Sequence, residues 1–474
     1  MRVHPKPFRR QLSPLQIRLT KAALLLGDVL SLLFAGLLAA VLAERWSAAA
    51  DTHWLVTQDE QRYWAWLAVV GLGIGFFLVR FRHYSDRKPY WTELGEVLRV
   101  MLMLAVLDLA VQAITRWNSS RLWWALVWPL AALLVPLGRG LLRGLMRRWR
   151  VWQRPTVVVG IGPNAHEAVE ALQSEPALGF EVVAQLDIAQ ASRALRRWAK
   201  VPGVQFVLAV EHGQNELREQ VLRQLAHWKA EDVSVIPAMR GVPLFGTDIS
   251  YFFSHEVAML KLRNNLRYWP ARLLKRMFDL TAALLLLLLL LLLAFPLLWL
   301  AARIRKDGGP AIFAHRRVGQ SGQMFPCYKF RTMHVDAERQ LRELLARDPA
   351  AQTEWNREFK LRNDPRITPI GHFLRRTSLD ELPQLFNVIR GEMSLVGPRP
   401  IVQAELERYG DDVDYFLMVR PGMTGLWQVS GRNDVDYETR VYLDTWYVKN
   451  WSLWYDIAIM FKTVRVVFAR DGAY

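Results

Sequence analysis

Apolar residues crowd the first third of the chain into four stretches, roughly Ala22–Leu42, Tyr63–Val79, Val97–Thr115 and Leu122–Leu137. Each approaches the ~20 residues that carry a helix through a bilayer. Basic residues punctuate them: an arm from Arg2 to Lys21, then Arg80, Arg82, Arg87 and Lys88, then Arg139, Arg143, Arg147, Arg148 and Arg150. The first and third loops are poorer in Lys and Arg, so the positive-inside rule puts both ends of this block in the cytoplasm. Asp28 and Asp108 fall inside spans. Interhelical hydrogen bonding is favoured for them over a polar pathway, because intramembrane acids usually face protein.

From Thr156 the period changes. TVVVGIGPNAHEAVEALQ reads as strand, glycine turn and helix, and EVVAQLD, VQFVLAV and VSVIPAM are further short β-rich runs between helical patterns. A small Rossmann-like α/β module follows from this alternation. Gly160, Gly162 and Ala165 form a G-x-G-x-x-A turn. That turn fits either nucleotide binding or a tight turn whose ligand site has decayed. Asp187 lies a few residues beyond the usual ribose-binding spacing, and no Tyr-x-x-x-Lys pair follows to support a dehydratase or epimerase.

A second greasy run has ten consecutive leucines, Leu284–Leu293, leading to Phe295 and Pro296. Arg272, Lys275 and Arg276 precede it, and Arg303, Arg305 and Lys306 follow. Both flanks prefer the cytoplasmic face, and Pro296 removes a backbone donor, so a helix that enters, bends and returns is expected over about 273–304. Beyond it come two strands, with Lys329 and Arg331 on alternate positions that would aim both at one site. A charged amphipathic stretch follows from Val335 to about Lys360. The last segment, Tyr437–Phe468, mixes Trp and Tyr with Lys, as either an interfacial belt or a packed helix pair would.

The candidate chemistry sits at Arg375–Pro400, RRTSLDELPQLFNVIRGEMSLVGPRP. Asp380 and Glu381 precede an apolar run of helical spacing that stops at Gly391, which places the pair at a helix N-terminus, where negative charge is stabilised. Ser378 and Glu381 by themselves fit a structural capping box. The extra acid, and the collar of Arg375, Arg376, Arg390 and Arg399, fit phosphate chemistry with a divalent cation instead. Composition narrows the partners. Net charge is +17 with 52% hydrophobic residues, which favours lipid and phosphorylated substrates over nucleic acid. The single Cys327 excludes an internal disulfide and a Cys-rich zinc site and reads as a core residue. No His spacing of the H-E-x-x-H type is present, and no cleavable signal peptide is expected.

TSLDELPQLFNVIRGEMSLVGPRP resembles the signature of the monotopic phosphoglycosyl transferases, the bacterial sugar-transferase family, as do KFRTM at Lys329–Met333, RNDPRIT at Arg362–Thr368 and RPGMTGLWQVSGRND at Arg420–Asp434. HYSDRKPYWTEL, FSHEV and DVDYETRVYLDTWYVKNW extend the similarity, over nearly the whole chain, to the large-form branch that handles galactose. The resemblance implies a membrane protein of mixed α and α/β class. It would comprise a four-helix transmembrane block over residues 1–152, a Rossmann-like module over 153–262, and a monotopic catalytic domain over 263–474 with the re-entrant helix. Where the family usually has Ser before the helix-breaking proline, this chain has Phe295.

The implied reaction moves a sugar 1-phosphate from a UDP-sugar to undecaprenyl phosphate, initiating O-antigen, capsule or exopolysaccharide assembly at the cytoplasmic face of the bacterial inner membrane. Asp380 would be the nucleophile, and Glu381 with Asp380 nearby would hold Mg²⁺. Lys329, Arg331, Arg375, Arg399 and Arg432 would bind phosphate, with Asp444 and Asp456 in support. Lys275 and Arg276 fit either lipid-headgroup contacts or snorkelling anchors. A homodimer is a further implication. UDP-galactose is the expected donor and UDP-glucose the competing one. A membrane-anchored nucleotide-sugar regulator built on the α/β module is the reading from a different class.

Overall fold

The structure is a computed structural model that describes residues 13–46, 60–115, 121–188, 192–211, 213–228, 230, 232–238, 248–251, 258–261, 269–292, 309–358, 361, 364–431 and 436–469. Pro296, Phe295, Arg432 and the expected return of the leucine helix lie outside the described residues. The chain divides into two compact units, residues 1–240 and 241–474.

The first unit opens with α1 (Pro14–Trp46), α2 (Glu60–Gly75) running into a π turn at Phe76–Arg80, α3 (Tyr90–Thr115) and α4 (Arg121–Arg148). Three helices, Pro14–Trp46, Tyr90–Ile114 and Arg121–Arg148, are long and apolar enough to cross a membrane; Trp64–Arg80 is a shorter apolar helix. Small residues on α1 (Ala35, Gly36, Ala39 and Ala40) are buried, and α1 packs along α4. Leu102, Val106, Leu109 and Leu133 stay exposed, as lipid-facing side chains do.

Asp28 is not on a water path. Its carboxylate accepts from Arg139 Nη2 at 2.6 Å and from the Tyr84 hydroxyl at 2.7 Å. Arg139 also reaches Glu93 Oε1 at 2.5 Å, and Arg143 reaches Glu93 Oε2 at 2.6 Å. Because Arg139 can only donate, the Nδ1 of His83 at 2.9 Å accepts, and Nε2–H donates to Glu96 at 2.7 Å. That leaves the imidazole neutral. Asp108 likewise accepts from Trp128 Nε1 at 3.2 Å.

The α/β part of this unit contains β1 (Arg154–Val159), α5 (Pro163–Ser174), β2 (Phe180–Leu186), α6 (Ser192–Trp198), β3 (Gln205–Leu208), α7 (Asn215–His227) and β4 (Asp232–Val235). The four strands pair in parallel in the order β2-β1-β3-β4. Such a sheet needs cover on both faces. Val157, Val159, Phe206 and Leu208 bury one side, while Val158, Val207 and Ala168 bury the other. Arg87 fastens this module to the helical block, donating to the carbonyls of Leu178 and Gly179 at 2.8 Å and of Trp152 at 2.6 Å.

The second unit contains β5 (Asp248–Tyr251), β6 (Ala258–Lys261), α8 (Trp269–Leu292), β7 (Ile312–Val318) and β8 (Met324–Phe330). Next come α9 (Ala337–Arg347), α10 (Pro349–Glu358), α11 (Pro369–Thr377), α12 (Gln384–Arg390) and β9 (Ser394–Val396), then α13 (Val413–Met418), β10 (Gly422–Thr424), α14 (Tyr437–Lys449) and α15 (Leu453–Ala469). The expected amphipathic helical stretch after Val335 is built as two helices, because Asp348-Pro349 breaks the ladder and starts a new first turn. The core gathers Phe325, Cys327, Leu385, Val388, Val396, Tyr447 and Trp451. Cys327 is therefore a packing residue, and burial pushes its thiol pKa up. Tyr447 and Trp451 serve the core, which answers the choice between a belt and a packed pair for these two aromatics.

Lys275 and Arg276 on α8 do not reach out toward headgroups. Lys275 donates to Asp456 at 2.7 Å and to the Val396 carbonyl at 3.0 Å, and Arg276 caps the carbonyls of Val388 and Ile389 at 2.6 and 2.8 Å. Asp279 accepts from the Ser394 hydroxyl at 2.8 Å. The polar end of the leucine helix is thus stitched to the globular fold.

Candidate active site

Two short helices and one strand build the site. Thr368 caps α11, its Oγ1 accepting from the Gly371 N–H at 3.0 Å, with Pro369 preset for the first turn. Gly371 lets α11 press onto the preceding chain: a Cβ there would stand 2.0 Å from the Thr332 carbonyl oxygen. At its other end α11 stops in Ser378, whose φ of 56° is left-handed. Leu379–Glu381 form a 3₁₀ turn, and α12 starts only at Gln384. The capping-box alternative does not hold: Ser378 closes one helix instead of opening the next, and its side chain makes no cap hydrogen bond. Asp380 and Glu381 therefore occupy a tight turn between helices, not the first turn of α12.

That turn is held against β8. Asn387, fully buried on α12, accepts from the Tyr328 N–H at 3.1 Å and donates to the Pro326 carbonyl at 2.7 Å. Lys329 then donates to Glu381 Oε1 at 2.7 Å and stands 3.8 Å from Asp380 Oδ2. Asp380 is only 9% exposed. Its carboxylate makes no hydrogen bond among the described residues. Burial pushes its pKa up and Glu381 adds to that rise, while Lys329, Arg375 and Arg399 pull it down. The expected helix N-terminus is therefore not what stabilises the charge: nearby cations oppose a desolvation cost.

The collar is narrower than expected. Arg375 and Arg399 act on Asp380, and Arg375 Nε donates to Thr332 Oγ1 at 3.0 Å. Arg376 is exposed, and Arg390 turns away to the Tyr328 hydroxyl at 2.7 Å. Arg331 Nη2 donates to the Gly309 carbonyl at 3.4 Å. Strand β8 ends at Phe330, so the period of two that pairs Lys329 with Arg331 does not carry across. Behind Glu381 a cavity of about 60 Å³ is lined by Ser378, Thr424, Gln428 and Thr463 among others.

Asp456 and Asp444 are buried supports. Asp456 is fully buried and accepts from Tyr447, Trp451 and Lys275. Asp444 accepts from the Tyr409 hydroxyl at 2.9 Å, and burial pushes its pKa up to about 7. Sequence reasoning missed Asn387, and missed Trp427, whose ring lies 5.8 Å from the Arg399 guanidinium and 5.0 Å from that of Arg440. The motif RNDPRIT contributes a local staple, Arg366 gripping Asp364 at 2.6 Å. For Trp427 the usable signal was an apolar aromatic amid glycines and arginines; for Asn387 there was none, since a polar residue in an apolar helix looks like an ordinary exposed position.

In the α/β module Gly160 takes φ 137°, and a Cβ there would strike the Ala209 carbonyl oxygen at 2.1 Å. Gly162 is the N-cap of α5 and Ala165 is buried behind it. Glu211 Oε1 accepts the Asn164 N–H at 2.8 Å. A carboxylate of the chain itself thus sits where a nucleotide phosphate would meet the helix start.

Residues 270–470 match the family described as bacterial sugar transferase, and residues 82–210 match one described as a CoA-binding domain. The chain is 52% identical over 414 residues to a UDP-galactose-lipid carrier transferase of Erwinia amylovora, covering 85% of this chain and 86% of that protein. It is 50% identical over 414 residues to an undecaprenyl-phosphate galactose phosphotransferase of Salmonella typhimurium, with the same coverage of 85% and 86%. An undecaprenyl-phosphate glucose phosphotransferase of Komagataeibacter xylinus is 41% identical over 257 residues, 51% of this chain and 44% of that protein.

Proposed function

The chain belongs to the bacterial sugar transferase family, and from that membership we propose that it moves galactose 1-phosphate from UDP-galactose to undecaprenyl phosphate, releasing UMP. The product, galactose on undecaprenyl diphosphate, would start O-antigen, capsule or exopolysaccharide assembly. Two relatives of high coverage carry galactose in their names, whereas the glucose relative aligns over about half of this chain. UDP-glucose is the donor to test against it.

The observation that carries the mechanism is Asp380, a buried carboxylate with no hydrogen bond among the described residues and a lysine 3.8 Å away. Its oxygens are committed to no hydrogen bond among these residues and still reach solvent beside a cation, which leaves them open to an incoming phosphorus. An Asp380 oxygen attacks the sugar-bearing phosphorus as the bond to UMP breaks, and UMP departs with the electron pair. An oxygen of undecaprenyl phosphate then attacks the same phosphorus, and Asp380 leaves as a carboxylate. Lys329 bridges the two acids and fixes Glu381, while Arg375 and Arg399 offset charge on the transferred group. Arg432 is included as a phosphate contact on family resemblance alone.

The donor set fits Mg²⁺, which binds one or two carboxylates and keeps places for phosphate oxygens and water. Glu381, with Asp380 beside it, would hold it, and when bound it neutralises phosphate charge. The reading further includes a homodimer and a catalytic unit on the cytoplasmic face of the inner membrane. A leucine helix that returns at Pro296 would bring lipid phosphate and nucleotide together at the headgroup plane, where proximity lowers the barrier. Glu211 at the start of α5 counts against a nucleotide-sugar regulator.

One experiment tests the scheme. Purified protein with Mg²⁺ and undecaprenyl phosphate is given UDP-galactose, UDP-glucose, UDP-GalNAc and UDP-GlcNAc, and UMP is measured. UDP-galactose is expected to turn over fastest. UDP-galactose radiolabelled at the sugar-proximal phosphate is expected to label the wild type covalently and to leave Asp380→Asn unlabelled. Labelling of that variant would place the nucleophile elsewhere, and fast turnover without any labelling would favour direct transfer.

A further inference from the structure

A cavity of about 110 Å³ lies where α3 and α4 meet the start of the α/β module, lined by residues of the first unit. Its floor is α4. Gly140 and Gly144 stand one turn apart, and a Cβ on either would meet nothing within 4 Å. Leu94, Val97 and Pro136 wall its inner end. Arg139, Arg143 and Arg147 recur on the same face at the spacing of a helix. The lining thus changes along the helix axis from apolar to cationic, toward the end of α4 where Arg147, Arg148 and Arg150 gather.

The charges around it do not cancel. Around it, Arg87, Arg139, Arg143 and Lys88 stand against Asp28, Glu93, Glu96 and Glu175, four against four; Glu175 Oε2 accepts the N–H of the cavity-lining Tyr90. His83 is neutral by its hydrogen bonds. Arg147 lines the cavity with no ion pair among the described residues, and the Nε of Arg143 is buried without a partner. One positive charge is therefore left at the mouth of an apolar groove, on helices whose outer faces are lipid-exposed in composition. The complement is one negative charge on an apolar tail.

We propose that this groove binds an anionic membrane phospholipid, its phosphate against Arg143 and Arg147 and the first part of an acyl chain over Gly140 and Gly144. A soluble phosphate ester offers the same charge but leaves the apolar floor wet, so the lipid is the occupant the lining selects. The site is independent of the catalytic reading above. Lipid bound there would join α3, α4 and the Pro176–Ala177 turn, and so steady the module on the membrane.

The full chain in phosphatidylcholine nanodiscs, with a trace of photoactivatable phosphatidylglycerol carrying the reactive group in its acyl chain, tests this. Peptides spanning 90–97 and 136–147 are expected to be labelled more strongly than with the matching phosphatidylcholine probe. Arg147→Gln is expected to cut that labelling about fivefold, the effect of one arginine near an anionic surface, and Gly144→Leu, which fills the groove, is expected to cut it as well. Labelling at the exposed Leu102, Val106 and Leu109 should not change. Equal labelling by the two probes, undiminished labelling in both variants, or full protection by millimolar glycerol 3-phosphate would each overturn the proposal. Should a variant fail to fold, the ratio of the two probes on the wild type decides by itself.

Discussion

Asp444 shows how one side chain can tie this fold to pH. It is buried, with Oδ1 lacking a hydrogen-bond partner among the described residues and Oδ2 bonded to Tyr409. Arg440 and Arg399 draw its pKa down, yet desolvation wins and lifts it from 3.8 to about 7. Between those two values the folded protein holds a proton that the unfolded chain has lost. Stability contributed by this group is therefore full below about pH 4 and declines as pH rises toward 7. At 1.36 kcal/mol per pKa unit the decline is at most about 4 kcal/mol. Asp444→Asn mimics the protonated form, so the fall in wild-type thermal stability from about pH 5 to 8 is expected to flatten in the variant. Parallel pH profiles for the two proteins would remove Asp444 from the account.

Among elements, α8 depends most on contacts far away in the chain. Its apolar length was plain from ten leucines, but Lys275, Arg276 and Asp279 have their partners 112 to 181 residues later. Lys275→Met would leave the fully buried Asp456 without its cation, a change that costs about 3 kcal/mol or more in such pairs. Adding Asp456→Asn removes the stranded charge, so the double variant is expected to recover much of the loss. Denaturation midpoints of the three variants measure it, and an additive double variant would show that the two residues are not coupled. The acid-pair turn teaches the same lesson. The pattern from Leu382 to Ile389 predicts a helix, and α12 is there. Its start at Gln384 and the left-handed Ser378 before it go with α11, which packs its first turn on Thr332 at Gly371 and closes at Ser378.

Within the first unit, Arg87 joins the helical block to the α/β module, beside the hydrogen bond from the Tyr90 N–H to Glu175. The Arg87 guanidinium lies 4.2 Å from the Trp152 ring and donates to the Leu178 and Gly179 carbonyls of the α/β module and to the Trp152 carbonyl at the junction. Arg87→Ala is expected to loosen that junction by about 1–3 kcal/mol, the cost of leaving buried acceptors unpaired. Trypsin cleavage between Arg148 and Arg154 should then accelerate about tenfold, since cleavage tracks the open population. Unchanged cleavage would mean that apolar contacts around Trp152 hold the joint alone.

Local pattern determined a great deal by itself: the apolar helices, the alternating α/β segment with its glycine turn, the adjacent acids and the family they mark. These are legible because period, turn chemistry and motif act over a few neighbouring residues. Which cations face Asp380 was not legible. Arg331 and Arg390 look as eligible as Lys329 and Arg375 until β8 ends one residue short of Arg331 and Tyr328 takes Arg390. Nor was the Glu211 carboxylate at α5 legible, or the lone charge of Arg147 above two glycines. Pairing and burial are decided by chain segments that meet only in three dimensions, and desolvation has no signature along a line of letters.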